Sequence, residues 1–208
     1  MVGKPIQEQF GEQVIEAFAE FARADLGSVA SLEANEFSHI SNRSLKRSLA
    51  EVFYGARWIY KLGLALLTRD EERAAHVRAQ IVDYAAIAEA LLSDCIIHAI
   101  VNGHAQGTAY CWADPDKMQQ PLAWSRSNPK YIVSRQSLWW LVRVAREFAI
   151  VDSRLADDLQ WLREQRNTVH LMHRSSLGPT AYLSQSKRAF TATSSTIKQT
   201  KAWKAVHP

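Results

Sequence analysis

Apolar residues return at three- and four-residue steps along most of the chain, and no stretch shows a strand's two-residue alternation bounded by turns. Residues 6–30 place Phe10, Val14, Ala17, Phe18 and Phe21 on one face of a first helix. Gly27 and the polar stretch SLEANEFSHISNRS interrupt it. Ser41 or Asn42 then caps a second helix, whose stripe is Leu45, Leu49, Val52, Phe53, Ala56 and Ile59, running to about residue 67. A third helix opens with Thr68 or Asp70 as cap and acidic residues in its first turn, which suit the positive end of a helix dipole. It continues through Val77, Ile81, Tyr84, Ala88, Leu91, Leu92 and Cys95 to Val101, where Asn102-Gly103 is a stop signal. At roughly 30 residues it spans about 45 Å, the length of a bundle's central helix.

Residues 104–129 lose all periodicity and read as a long loop. Ser134 is the expected cap for RQSLWWLVRVAREFAI, and Asp152 or Ser153 the cap for RLADDLQWLREQRNTVHLMHR, with Gly178-Pro179 closing the bundle. The stretch TATSSTIKQTKAWKAV beyond it is polar and weakly periodic, fitting a frayed helix or a disordered tail. The expectation is an all-α bundle of about five helices over residues 1–176, followed by a basic C-terminal tail at 177–208.

A chain of 208 residues fits one domain, or one domain with a flexible extension, and does not require two. No uninterrupted apolar run reaches the roughly 18 residues of a membrane span, and the N-terminus lacks the layout of a secretory signal. A cytoplasmic protein without a membrane partner is therefore expected. Cys95 and Cys111 are too few for a disulfide framework. Together with His98 and His104 they match no familiar zinc spacing, so neither a metal nor another cofactor is expected. The distribution of charge is more informative. The last acidic residue is Glu164, and beyond His173 lie Arg174, Lys187, Arg188, Lys198, Lys201 and Lys204. Those six positives, set against a net charge of +4, leave residues 1–173 at −2. A basic end on a mildly acidic body suits a phosphate-rich or acidic partner, or simply a solvated, solubilising segment.

The most concentrated chemistry lies in WLREQRNTVHLMHR, residues 161–174. At about 100° per residue, Arg163, Arg166, His170 and His173 share one helical face, while Leu155, Leu159, Leu162 and Val169 form a partial core stripe. Arginine is a permanent planar donor that matches phosphate oxygens, and histidine exchanges protons near neutrality. Together they suffice to cut RNA without a metal. A histidine takes the proton of the ribose 2′-hydroxyl, arginine stabilises the charge at phosphorus and Asn167 orients the phosphate, leaving a 2′,3′-cyclic phosphate. The plainer reading pairs these arginines with Glu147, Asp157, Asp158 or Glu164 on a solvated face, and makes the histidines capping groups near a helix C-terminus. Glu89, in an Ala/Leu-rich run, is an inward acid that needs a partner, and Arg163 or Arg166 would be oriented by it. Trp112, Trp124, Trp139 and Trp140 suit packing more readily than base stacking, and nothing in the spacing of Asn102, His104 and Asp114 demands that they join a site.

The spacing of these residues resembles the signature of the HEPN superfamily, in which four to six residues stand between an Arg and a following His, usually with a polar residue directly after the Arg. Arg163 to His170 and Arg166 to His173 each enclose six residues, and Asn167 follows the second Arg. The run AQIVDYAAIAEALLSDCI, with Glu89, is similar to the long helix of such proteins. The resemblance covers residues 45–175. RNTVH departs from the commoner pattern by one residue, so either Arg–His pair is a candidate, or the site is degraded. The resemblance implies a homodimer whose signature helices face each other across a cleft, acting as a metal-independent endoribonuclease of the toxin or defence kind. An antitoxin or another protein partner is then expected. Crowded cations in such a cleft would lower the histidine pKa values. The alternatives are a non-catalytic dimer of the same fold that binds RNA, a nucleotide or a protein, and a purely structural interaction protein.

Overall fold

The computed structural model describes residues 9–104, 129–167 and 182–208. Among the described residues there are eight helices and no strand: α1 (Glu12–Arg23), α2 (Val29–Asn35), α3 (Arg43–Ala65), α4 (Asp70–Val101), α5 (Pro129–Val133), α6 (Leu138–Glu147), α7 (Ser153–Asn167) and α8 (Tyr182–Val206). The protein is all-α. The count exceeds five because α2 and α5 are too short to show a periodic stripe, and because residues beyond 181 form a full helix.

α4 is the axis. Fourteen of its 32 residues are buried, and they occupy an arc of about 220°, wide enough to face several neighbours at once. By length and composition alone it could cross a membrane, but 56% of its most apolar window is buried inside the protein. α3, α6, α7 and α8 pack on it. Asn102 ends α4 as expected and Gly103 follows at φ +77°, a conformation that glycine adopts without a Cβ penalty. Gly63 has a different use, since a Cβ there would stand 3.0 Å from His76 Nδ1, and its absence lets the end of α3 close on α4.

Asn42 Oδ1 accepts from the Leu45 N–H at 3.1 Å, and Asp152 Oδ1 accepts from the Leu155 N–H at 2.7 Å, as their sequence positions suggested. Two other caps differ. Ser137, not Ser134, caps α6, because Ser134 still belongs to the turn that closes α5. Arg69 precedes α4 without a side-chain cap, while the Thr68 hydroxyl donates backwards to the Gly63 carbonyl at 3.1 Å.

The stretch 182–206 departs most from expectation. α8 lies along α4, and Ser186, Ala189, Ala192, Thr193, Thr196, Ile197, Thr200 and Trp203 are buried. Its inner face is made of small and hydroxyl-bearing residues whose polar atoms are satisfied locally. Thr196 and Thr200 return hydrogen bonds to the carbonyls of Ala192 and Thr196 at 2.8 Å each, Thr193 donates to the Tyr84 carbonyl, and Ser186 donates to Gln80. α1 departs in the opposite sense. Its large apolar stripe points outward, while the smaller Ala19 and Ala22, with Ile15, are less exposed than Val14, Phe18 and Phe21.

His39 precedes α3 with Nε2 within 3.1 Å of the Thr200 hydroxyl, and burial, followed by the nearby Lys204, lowers its pKa to about 4 from 6.5. Asp94 acts in the opposite direction and Lys201 in the same one. The folded protein thus prefers neutral His39, so stability falls as pH drops from 6.5 towards 4, where the unfolded chain binds a proton that the folded chain refuses. Solvent screening of this partly buried ring leaves about 1–2 kcal/mol of that dependence. Denaturant titrations at pH 7 and pH 4.5 check it: His39→Gln should flatten the difference by that amount, and an unchanged slope would rule His39 out.

Candidate functional site

α7 presents the candidate residues because its other side is pinned. Leu155, Ala156, Leu159 and Leu162 are buried, as the stripe of leucines required. Towards α8, Arg188 forks onto Asp158 Oδ1 at 2.7 and 2.9 Å and its guanidinium lies 4.3 Å from the centre of the Trp161 ring. Gln185 donates to Gln165 at 3.3 Å, and Gln160 donates to the Trp139 carbonyl at 3.3 Å towards α6. The last turn of α7 is thereby fixed in rotation relative to α4.

That rotation brings Arg166 Nη1 onto Glu89 Oε2 of α4. The side chains are 39% and 33% exposed, so the pair is only partly in solvent. One carboxylate oxygen engages one of the five N–H groups of the guanidinium, which leaves the rest of the fork able to donate. Arg163, one turn earlier, is more enclosed: Nη2 lies 3.7 Å from Glu164 Oε1, and Nε is buried without a hydrogen-bond partner among the described residues. Asn167 is the last residue of α7 and is exposed.

The structure therefore joins Glu89 to Arg166 and places Arg163 on the same helix. Asp158, named above as a surface partner for these arginines, is taken by Arg188 instead. His170, His173 and Arg174 lie outside the described residues, as do Val169, Cys111, Trp112, Asp114, Trp124 and Gly178-Pro179. The expected lowering of the signature histidines' pKa values concerns these same residues and likewise lies outside the described ones. Trp140 is core and Trp139 packs against it.

The other histidines have separate roles. His98 Nε2 lies 2.7 Å from the His207 carbonyl and His104 Nε2 lies 3.2 Å from that of Pro208, while Trp203 stacks on His207 with ring centres 4.1 Å apart. These rings seal the C-terminal ends of α4 and α8 together. Cys95 is fully buried and its thiol is pushed up to about 12 by desolvation, which makes it an inert core residue. Among the described residues no three His, Cys, Asp or Glu side chains gather as metal ligands would.

One feature escaped the sequence reading. A cavity of about 330 Å³ opens between α3 and α8, with Tyr84 of α4 also lining it. Tyr60, Lys61, Lys187 and Phe190 are among its walls. The signal existed in the bulk of Tyr60 and Phe190, but their place at a groove depends on α8, which showed no strong stripe. Comparisons with protein-family models, with curated proteins and with solved structures each found no match.

Proposed function

We propose that the chain is a HEPN-like bundle acting as a metal-independent endoribonuclease, a toxin or defence effector. The observation that carries the reading is the Arg166–Glu89 pair. It anchors a phosphate-matching guanidinium to the central helix, at the end of the helix from which the sequence runs directly into His170 and His173. A pre-oriented arginine stabilises developing phosphoryl charge without reorganising at the moment of reaction. In this reading one imidazole removes the 2′-hydroxyl proton, and the 2′ oxygen attacks phosphorus. The P–O5′ bond breaks, the 5′ oxygen leaves with a proton, and a 2′,3′-cyclic phosphate remains. Arg163 is the alternative partner of His170, and Asn167 orients the phosphate. Homodimerisation would set two such faces across one cleft.

A second reading is supported by the same pair. Glu89 offsets the charge of Arg166, which suits a face that binds RNA, a nucleotide or a protein without cutting.

The deciding experiment treats total cellular RNA with the protein in EDTA and scores 2′,3′-cyclic phosphate ends. The wild type should produce them. Arg166→Ala should lose about 100- to 1,000-fold in rate, the effect of deleting one transition-state donor, and His170→Ala a comparable or larger factor. Binding without cleavage selects the second reading, and neither binding nor cleavage leaves a structural interaction protein.

A further inference from the structure

We propose that the outward face of α1 docks into the α3/α8 groove of a second copy of this chain, forming a two-fold dimer with two identical junctions. The proposal goes beyond the nuclease reading and does not depend on it.

Phe10, Val14, Phe18 and Phe21 are each between 41% and 51% exposed, on an N-terminal segment that turns its smaller residues inward. Within α1, Val14, Ala17, Phe18 and Phe21 fall inside an arc of about 100°. The stripe adjoins further apolar surface, because Lys61 Nζ lies 5.4 Å from the centre of the Phe21 ring and also lines the α3/α8 cavity. From that cavity, exposed apolar side chains continue through Tyr60 to Leu64, Leu67 and Leu183 along a second, smaller hollow. With about 150–250 Å² per aromatic side chain, the stripe and groove together expose on the order of 800 Å². Monomers seldom leave more than a few hundred Å² in one apolar patch. About 800 Å² is what each partner buries in an ordinary stable interface.

Charge selects the occupant. On its outer side the stripe is followed by Glu20 and then Glu16, with Glu12 and one basic residue, Arg23, beyond them, whereas the groove is rimmed by Arg57, Lys61 and Lys187. Arg57 and Lys61 are partly occupied by the carbonyls of residues 24–26, and Lys61 also pairs with the Asp25 carboxylate at 3.1 Å, so it is Lys187 that stands free for an incoming acid among the described residues. The helix that suits this groove is apolar along one stripe and acidic beside it, and α1 has that pattern. The same acidic flank disfavours nucleic acid or an anionic lipid surface as the cover for α1. A two-fold axis lets each α1 fill the partner's groove and closes the assembly.

Light scattering of the full chain at 10–100 µM tests this, with far-UV circular dichroism to verify folding. The wild type should have at least twice the 23.5 kDa chain mass. Phe18→Asp, at an exposed position, should halve the solution mass and raise the dissociation constant about 100-fold, the size of an interface hot spot. Leu64→Glu should do the same from the groove side. A mixture of the two variants restores one intact junction per dimer, so it should associate more tightly than either alone. A monomeric wild type overturns the proposal, and so does a mass that Phe18→Asp leaves unchanged. Failure of the mixture to associate more tightly than its components overturns it as well. A monomer that sediments with anionic vesicles would instead assign the stripe to a lipid surface. RNA cleavage by the same samples is read separately, so the two readings can fail independently.

Discussion

A chain ending at residue 181 is expected to lose cooperative thermal unfolding. α8 contributes Ala189, Ala192, Ile197 and Trp203 to the core and covers α4 along most of its length. Removing it exposes those partners' contacts on α4 and withdraws the Trp203 hydrogen bond to the Phe148 carbonyl at 3.1 Å. It also takes away Gln199, which accepts from the Asp152 N–H at 2.8 Å and donates to Asp152 Oδ2 at 2.7 Å, supporting the first turn of α7. Burying a single large apolar side chain contributes about 1.5–3 kcal/mol. The loss therefore rivals the whole stability of an ordinary domain, about 5–15 kcal/mol. Calorimetry should show no sharp transition in the shortened chain, with helical content reduced by more than the deleted residues account for. A sharp transition near that of the full chain would mean that α8 is an appendage.

Asp94→Ala is the point substitution with the largest expected cost. Asp94 pairs with Lys204 where the side chains are only 18% and 9% exposed, linking α4 to α8. Lys204 Nζ has just one further partner among the described residues, the His39 carbonyl at 3.4 Å. Without Asp94 a buried ammonium remains nearly uncompensated, a situation that costs about 3–5 kcal/mol. Replacing both members with apolar residues of similar volume, Asp94→Leu with Lys204→Met, should recover most of the loss, because the pair itself must overcome the desolvation of two charges. Denaturant unfolding of the two single variants and the double variant measures the coupling. Additive losses would show that the ion pair does not matter.

The sequence was most legible where burial rests on large aliphatic residues. The α4 stripe, its Asn102-Gly103 stop, the leucines of α7 and the Asn42 and Asp152 caps all rest on side chains with one dominant physical role. α8 was obscured because its buried face is built from Ala, Ser and Thr, whose hydroxyls satisfy themselves on carbonyls one turn back. In a hydropathy pattern such a face is indistinguishable from a soluble tail. α1 misled in the reverse direction, since periodicity locates an apolar stripe but does not say what covers it. The link between Glu89 and Arg166 was foreseeable, because an acid within an apolar run needs a cation and the arginines of α7 were the cations singled out. The preference for Arg166 was not. It follows from the rotation of α7, which Arg188 and Gln185 set from a helix whose packing the sequence did not disclose.

The pairing of α4 with α8 also bears on how the chain folds as it is made. Val101 and Tyr182 are 81 positions apart, so the last strong partner of the central helix arrives late. At the usual pace of synthesis, about 5–20 residues per second, α4 waits roughly 4–16 s for that partner. α3 is already available, but the side of α4 destined for α8 has no cover from its native neighbour in that interval. A nascent chain stalled within this gap would present a helix apolar enough to pass for a membrane segment. It would be a natural client for a chaperone that binds exposed apolar helices, and the small, hydroxyl-rich face of α8 would then have to displace it.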